Sequence, residues 1–197
     1  MEKLSKLAVA DKTIIGLTGL AGSGKDTFFY LLKQKLPFKR FSLADALKEE
    51  LKNVILSKYG IDILTCDRND KNKVRDEMVA FAKQKRMETN GTHWYSILHN
   101  KIASCSSRYI CITDIRHNYF PEDELFWLKS ILKGRLIDIS RYNPYSGQVL
   151  LPPNSEEAYH YPLVKKYADY YVFWPEVDTI NNLDFFVEKA ILDLSLK

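Results

Sequence analysis

The chain has 197 residues, a mass of 22.9 kDa and a hydrophobic fraction of 46%, enough for one hydrophobic core carrying at most a small insertion. With 27% charged residues and seven prolines, the composition excludes a disordered, collagen-like or membrane-protein profile. The formal charge of +4 suits a small anionic partner. It is too low, and between Lys35 and Asn90 too interleaved with acid, for a dedicated nucleic-acid binder.

The opening residues MEKLSKLAVADK are too short and too charged for a signal peptide, so a cytoplasmic setting is expected, with no membrane partner. Thr13–Leu17 (TIIGL) is short, apolar and β-branched, which predicts a buried parallel strand. A glycine-rich turn and a helix from Asp26 to Leu36 follow, and Pro37 stops the helix. Lys39–Leu43 predicts a second strand. Asp45–Tyr59 predicts a helix with Leu47, Leu51, Val54 and Ile55 on one face, Ser42 or Asp45 as its cap and Gly60 beyond its end. The segment ILTCDRNDKNKVRDE has no clear period, and helical spacing returns over Val74–Lys85. Asn90-Gly91 reads as a turn, with Thr92 capping a helix over His93–Ser104.

Arg108–Ile115 (RYICITDI) is the second clear buried strand. Pro121 fits the first turn of a helix through Leu132 that Gly134 closes. Leu136–Ile139 predicts a strand, Asn143–Glu156 a long loop, Tyr170–Trp174 an aromatic strand and Asn182–Leu194 a final helix. Alternating strands and helices, with the strongest strands apolar throughout, predict an α/β three-layer sandwich around a parallel sheet. Cys66, Cys105 and Cys111 are odd in number and fit neither a disulfide framework nor a zinc site.

The sharpest motif follows the first strand: Gly19-Leu20-Ala21-Gly22-Ser23-Gly24-Lys25-Asp26-Thr27. Glycines let the backbone turn so that successive N–H groups converge on a phosphate, the helix adds its positive end, and the Lys25 ammonium can reach between the β- and γ-phosphates. Leu20, Ala21, Gly22, Ser23, Gly24, Lys25, Asp26 and Thr27 are therefore the expected nucleotide-binding residues. The hydroxyl stands one place later than in GKS/T loops. That leans away from switch GTPases and motor-like ATPases and toward small-molecule kinases.

Ligands of parallel sheets bind beyond the carboxyl ends of strands. Asp114 and Arg116 stand at such an end. Arg116 is read as gripping an acceptor phosphate, and Asp114 as orienting it, holding Mg²⁺ through water or capping a helix. Arg141, at the base of the long loop, is read as closing over the transferring group. Asp45 and Lys48 face the same edge. Arg68, Arg75 and Arg86 lie in the helical region; Arg86 is the candidate for gripping a monophosphate, and Trp94 packs a base, walls the pocket or belongs to the core alone. No direct metal ligand is assigned, and Asp26 and Asp114 are the candidates for contact through water.

The segments GLAGSGKDT, FSLADALKEEL, RMETNGTHWYSIL, ICITDIRHNYFPEDE, LIDISR and SEEAYHYPLVKKYADYYVFWPEVDTINNLDFF occur in that order. Over roughly residues 12–193 the chain resembles the deoxynucleoside monophosphate kinases of large bacteriophages and some other viruses, within the P-loop nucleoside monophosphate kinase group. The resemblance implies a five-stranded parallel sheet, one P-loop kinase domain over residues 1–197, a helical NMP-binding insertion at about 60–104 and a lid-like loop at about 141–158. It implies ATP and Mg²⁺ as cofactors and a deoxynucleoside monophosphate as substrate, and leaves a homodimer open. Carried onto this sequence, Lys25, Arg116 and Arg141 become the catalytic residues, and Asp45, Lys48, Arg86, Trp94, Asp114 and Arg116 the substrate-binding ones. Two departures stand out: the spacing of HNYFPEDE after the strand-end arginine, and FWPEVDTI where a shorter asparagine-containing turn would contact the ATP base. Another P-loop small-molecule kinase, acting on dephospho-coenzyme A or thymidylate, and a nucleotide-binding module without turnover are the alternatives.

Overall fold

The five expected strand segments become the five strands of one parallel sheet in the computed structural model, which describes Val9, residues 11–176 and residues 183–196. They are β1 (Thr13–Thr18), β2 (Lys39–Phe41), β3 (Tyr109–Ile112), β4 (Arg135–Tyr142) and β5 (Tyr170–Pro175), in the spatial order β2-β3-β1-β4-β5. β1 is central and almost wholly buried, as a strand covered on both faces must be. The expected α/β sandwich is the observed fold.

Helices cover both faces because side chains alternate along each strand. Ile15, Leu17, Cys111, Ile137, Ile139 and Val172 face α1 (Lys25–Lys35) and α8 (Asp184–Asp193). Ile14, Ile110, Ile112 and Leu136 face the other layer. That layer holds α2 (Leu43–Tyr59), α5 (His93–Ala103), α6 (Glu124–Phe126) with the π-helical turn Trp127–Ile131, and α7 (Ser155–Lys165). The remaining helices are α3 (Arg68–Lys73) and α4 (Arg75–Glu88); Met78 of α4 and Val74 between the two helices form a small cluster with Leu51 and Ile55 of α2 and with Ile63. Among the described residues no helix is long and apolar enough to cross a membrane.

Several boundaries differ from expectation for local reasons. Pro121 does not enter a helix. The Asp123 carboxylate accepts hydrogen bonds from the amides of Tyr119, Phe120 and Glu124, so the loop stays closed on itself until α6 begins. Thr92 does not cap α5 with its side chain; the Thr89 hydroxyl accepts from the His93 amide instead. The helix α7, read in the sequence partly as loop, has Pro162 inside it and a polar, aromatic composition with no apolar period. Asn182, the expected start of the last helix, lies outside the described residues, as does the VDTI stretch.

Candidate active site

The loop between β1 and α1 has the conformation its glycines permit. Gly24 has a φ of 96° and Gly19 one of 144°. A Cβ on Gly24 would stand 2.6 Å from the Trp174 ring, and one on Gly19 would stand 2.3 Å from the Ile139 carbonyl oxygen, so both positions also exclude a side chain by contact. Trp174, on β5, completes the support by donating its indole N–H to the Ser23 carbonyl at 2.9 Å. Sequence reasoning treated this tryptophan as part of an aromatic strand. Its alternation on β5, inward beside two outward aromatics, is the signal that could have found it.

Most of the loop's amides face no protein acceptor. Ser23 N–H donates to the Leu20 carbonyl and Ala21 N–H to a Glu157 carboxylate oxygen. Among the described residues, the amides of Gly22, Gly24, Lys25, Asp26 and Thr27 have no partner within the protein. The Ser23 hydroxyl is likewise buried without a partner. Buried or converging donors without acceptors are costly unless an external group answers them, so the segment fits an oxyanion ligand.

Lys25 is buried and donates to the carbonyls of Gly19 and Leu20 at 2.7 and 2.8 Å, leaving one of its three N–H donors free of a protein partner. Burial first, and then the nearby Arg116 charge, lower its pKa to about 8. Asp26 is exposed in the first turn of α1, and Thr27 is half-buried.

Arg116 follows β3, half-exposed, with Nη1 3.8 Å from Glu157 Oε1. Across from it lie cations that sequence reasoning did not join to it. Burial at its charged end and then Lys48, Arg75 and Arg116 lower the pKa of Lys71, although the residue as a whole is exposed; each of the three therefore lies within Coulombic reach of Lys71. Lys71 sits on the short polar helix α3, where no period marked it. Arg141 is partly buried beside Glu176, with Nη2 3.2 Å from its carboxylate. The two line a cavity of about 360 Å³ with Leu150 and Leu151 at the ends of β4 and β5.

Four expected site residues are otherwise engaged. Asp114 is buried and caps α2: Oδ1 accepts from the Leu43 amide at 2.8 Å, and Oδ2 from the Ala44 amide at 2.8 Å and the Ser42 hydroxyl at 2.7 Å. Both oxygens accept from the start of α2, which fits the capping alternative. Asp45, expected as a cap, instead pairs with Arg40 at 2.7 Å and lies 3.7 Å from Lys48. Arg86 is buried, and its guanidinium bonds both Asp123 oxygens at 3.0 and 2.9 Å and Glu124 at 3.2 Å. It is thus a structural ion pair and not an open phosphate grip. Burial raises Glu124 to about 8 against the pull of Arg86, while Oε2 accepts from the amides of Arg116 and His117 and so holds the strand-end loop. Trp94 is a core residue against Phe81 and His93.

Among the described residues, no cluster of three or more His, Cys, Asp or Glu is placed to hold a metal ion. Any Mg²⁺ would rely on phosphate oxygens together with Thr27 or Asp26. The donor set fits a nucleotide-borne ion and does not form a cage of its own.

The chain matches no protein-family model, and no curated protein matches its sequence. Among solved structures, it is similar to a shikimate kinase from Acinetobacter baumannii in complex with shikimate: 16% identity, 98% of this chain and 100% of that one, TM-score 0.47. A dephospho-CoA kinase from Campylobacter jejuni shares 17% identity over 93% of this chain and 98% of that one, TM-score 0.47. A gluconokinase from Sinorhizobium meliloti 1021 shares 10% identity over 93% of each chain, TM-score 0.47.

Proposed function

We propose that this chain is a kinase that moves the terminal phosphoryl group of ATP onto the phosphate of a deoxynucleoside monophosphate. The observation that carries the reading is the row of unanswered amides at Gly22, Gly24, Lys25, Asp26 and Thr27, closed by the Lys25 ammonium and faced by Arg116. Such a row stabilises a polyphosphate through fixed dipoles that need no reorganisation on binding. The ordered sequence resemblance over residues 12–193 supports the nucleotide acceptor.

In this reading Lys25 gives up its loop carbonyls for phosphate oxygens. Arg116, with Lys48, Lys71 and Arg75 nearby, holds the acceptor phosphate and sets it in line with the donor. Arg141 shields the transferring group from water at the loop base. Bound Mg²⁺ supplies neutralisation of the donor phosphates. An anionic acceptor oxygen needs no strong general base, and none is assigned here.

A second reading, a different small-molecule acceptor, is favoured by Arg86, whose engagement with Asp123 and Glu124 removes one expected contact to a monophosphate. The test is a panel of the four deoxynucleoside monophosphates and dephospho-coenzyme A, each with ATP and Mg²⁺, read by product chromatography. Formation of a deoxynucleoside diphosphate, reduced about 10²–10³-fold in Lys25→Ala, is the expected result. Turnover of dephospho-coenzyme A alone reassigns the acceptor, and no transfer to any of the five overturns the deoxynucleoside monophosphate reading.

A further inference from the structure

One amide of the loop is already answered. Ala21 N–H donates to Glu157 Oε2 at 2.7 Å, while Glu157 Oε1 lies 3.8 Å from Arg116 Nη1, and the glutamate side chain is only 15% exposed. A carboxylate therefore stands in the place of an anion, and the same group touches the loop and the strand-end arginine.

The helix that carries it is clamped. Asn154 caps α7 by accepting from the Glu157 amide at 2.8 Å. Further along, the Tyr161 hydroxyl donates to buried Asp138 at 2.8 Å, Lys165 donates to the Ser140 hydroxyl at 3.1 Å, and Asn118 donates to the Leu163 carbonyl at 3.2 Å. Val164 is fully buried against the sheet. With the helix held at its start and along its inner face, the Glu157 carboxylate is presented to the loop and does not merely swing past it.

We propose that Glu157 is an internal anion that bolts the two substrate sites together: it occupies the loop and holds Arg116 until a polyphosphate displaces it, so that filling the donor loop frees Arg116 for the acceptor. This rests on the reading of the loop as a polyphosphate cradle. A ligand that has to displace a charge-assisted hydrogen bond binds more weakly than one entering an open loop. Displacement at one site that releases a cation at the other is a coupling between sites, and it is reciprocal.

The experiment is calorimetric titration of inorganic tripolyphosphate into the wild-type protein, Glu157→Gln, Glu157→Ala and Lys25→Ala. Circular dichroism and thermal unfolding confirm that each is folded; the glutamine variant keeps the side chain's shape. Both Glu157 variants are expected to bind tripolyphosphate about tenfold more tightly than wild type. In wild type, saturating tripolyphosphate also tightens deoxyadenosine monophosphate binding, and in Glu157→Gln that tightening disappears. Equal or weaker tripolyphosphate binding by both variants overturns the proposal, as does coupling that persists without the charge. If wild-type binding is lost in Lys25→Ala yet unchanged at Glu157, the cradle stands and the bolt alone falls. If wild type binds no tripolyphosphate, both fall.

Discussion

Lys25 joins fold and chemistry through a single proton. Its pKa, lowered to about 8 chiefly by burial, lies below that of the unfolded chain. The folded ligand-free protein thus binds fewer protons than the unfolded one above that value. This lysine lowers stability at neutral pH, and the deficit disappears as pH rises from about 8 toward the ordinary lysine value. A polyphosphate favours the charged form, so binding above pH 8 takes up a proton. Calorimetry in two buffers of different ionisation enthalpy should show uptake approaching one proton at about pH 9.5 and almost none at about pH 7; no uptake at the higher pH would separate Lys25 from the ligand. At Arg86 the expected loss is of stability. Arg86→Ala leaves two carboxyls buried together, and urea unfolding should show a cost of about 3–5 kcal/mol, only partly recovered by Arg86→Lys, which cannot bond both Asp123 oxygens as a fork. Arg116→Ala should raise the KM for the acceptor by about tenfold while changing that for ATP little; equal effects on both would remove it from the acceptor side.

At the scale of elements, one carboxylate shows why the fold was more legible than the site. The strand RYICITDI announces itself by apolar β-branched residues, and any polar residue at its end looks like chemistry. Only the packing of α2 against that end shows that Asp114 answers the two free amides of Leu43 and Ala44. A cap from 71 residues away in sequence has no local signature. Asp114→Ala should therefore cost about 2–3 kcal/mol in unfolding and loosen the start of α2, seen as faster amide exchange at Leu43 and Ala44. The glycine loop was legible because its conformation is nearly all local. Its support was not, since Trp174 arrives from β5. In Gly24→Ala a new methyl would meet that ring and sit at positive φ, so the variant should lose tripolyphosphate binding and about 1–3 kcal/mol of stability together. Tryptophan fluorescence and denaturant titration on one sample would show whether the two losses coincide.

Across the whole molecule, the layered sheet followed from alternation of strand and helix, and β1 at its centre from a run with no polar face. What escaped was the helix α7, whose proline and aromatic residues conceal its period, and with it Glu157 and the polar contacts of Asp138, Ser140, Tyr161 and Lys165. The cationic group around Lys71 escaped for a similar reason, because charge on a short polar helix looks the same whether it faces water or a ligand. Trp174 reaches back 151 positions to the Ser23 carbonyl, and this fixes an order of events during synthesis. A nascent polypeptide that has emerged only as far as β4 already contains every residue of the glycine motif, but lacks the indole that props it. Ribosome-stalled chains ending before β5 should accordingly fail to retain labelled ATP, and those extended past α8 should capture it.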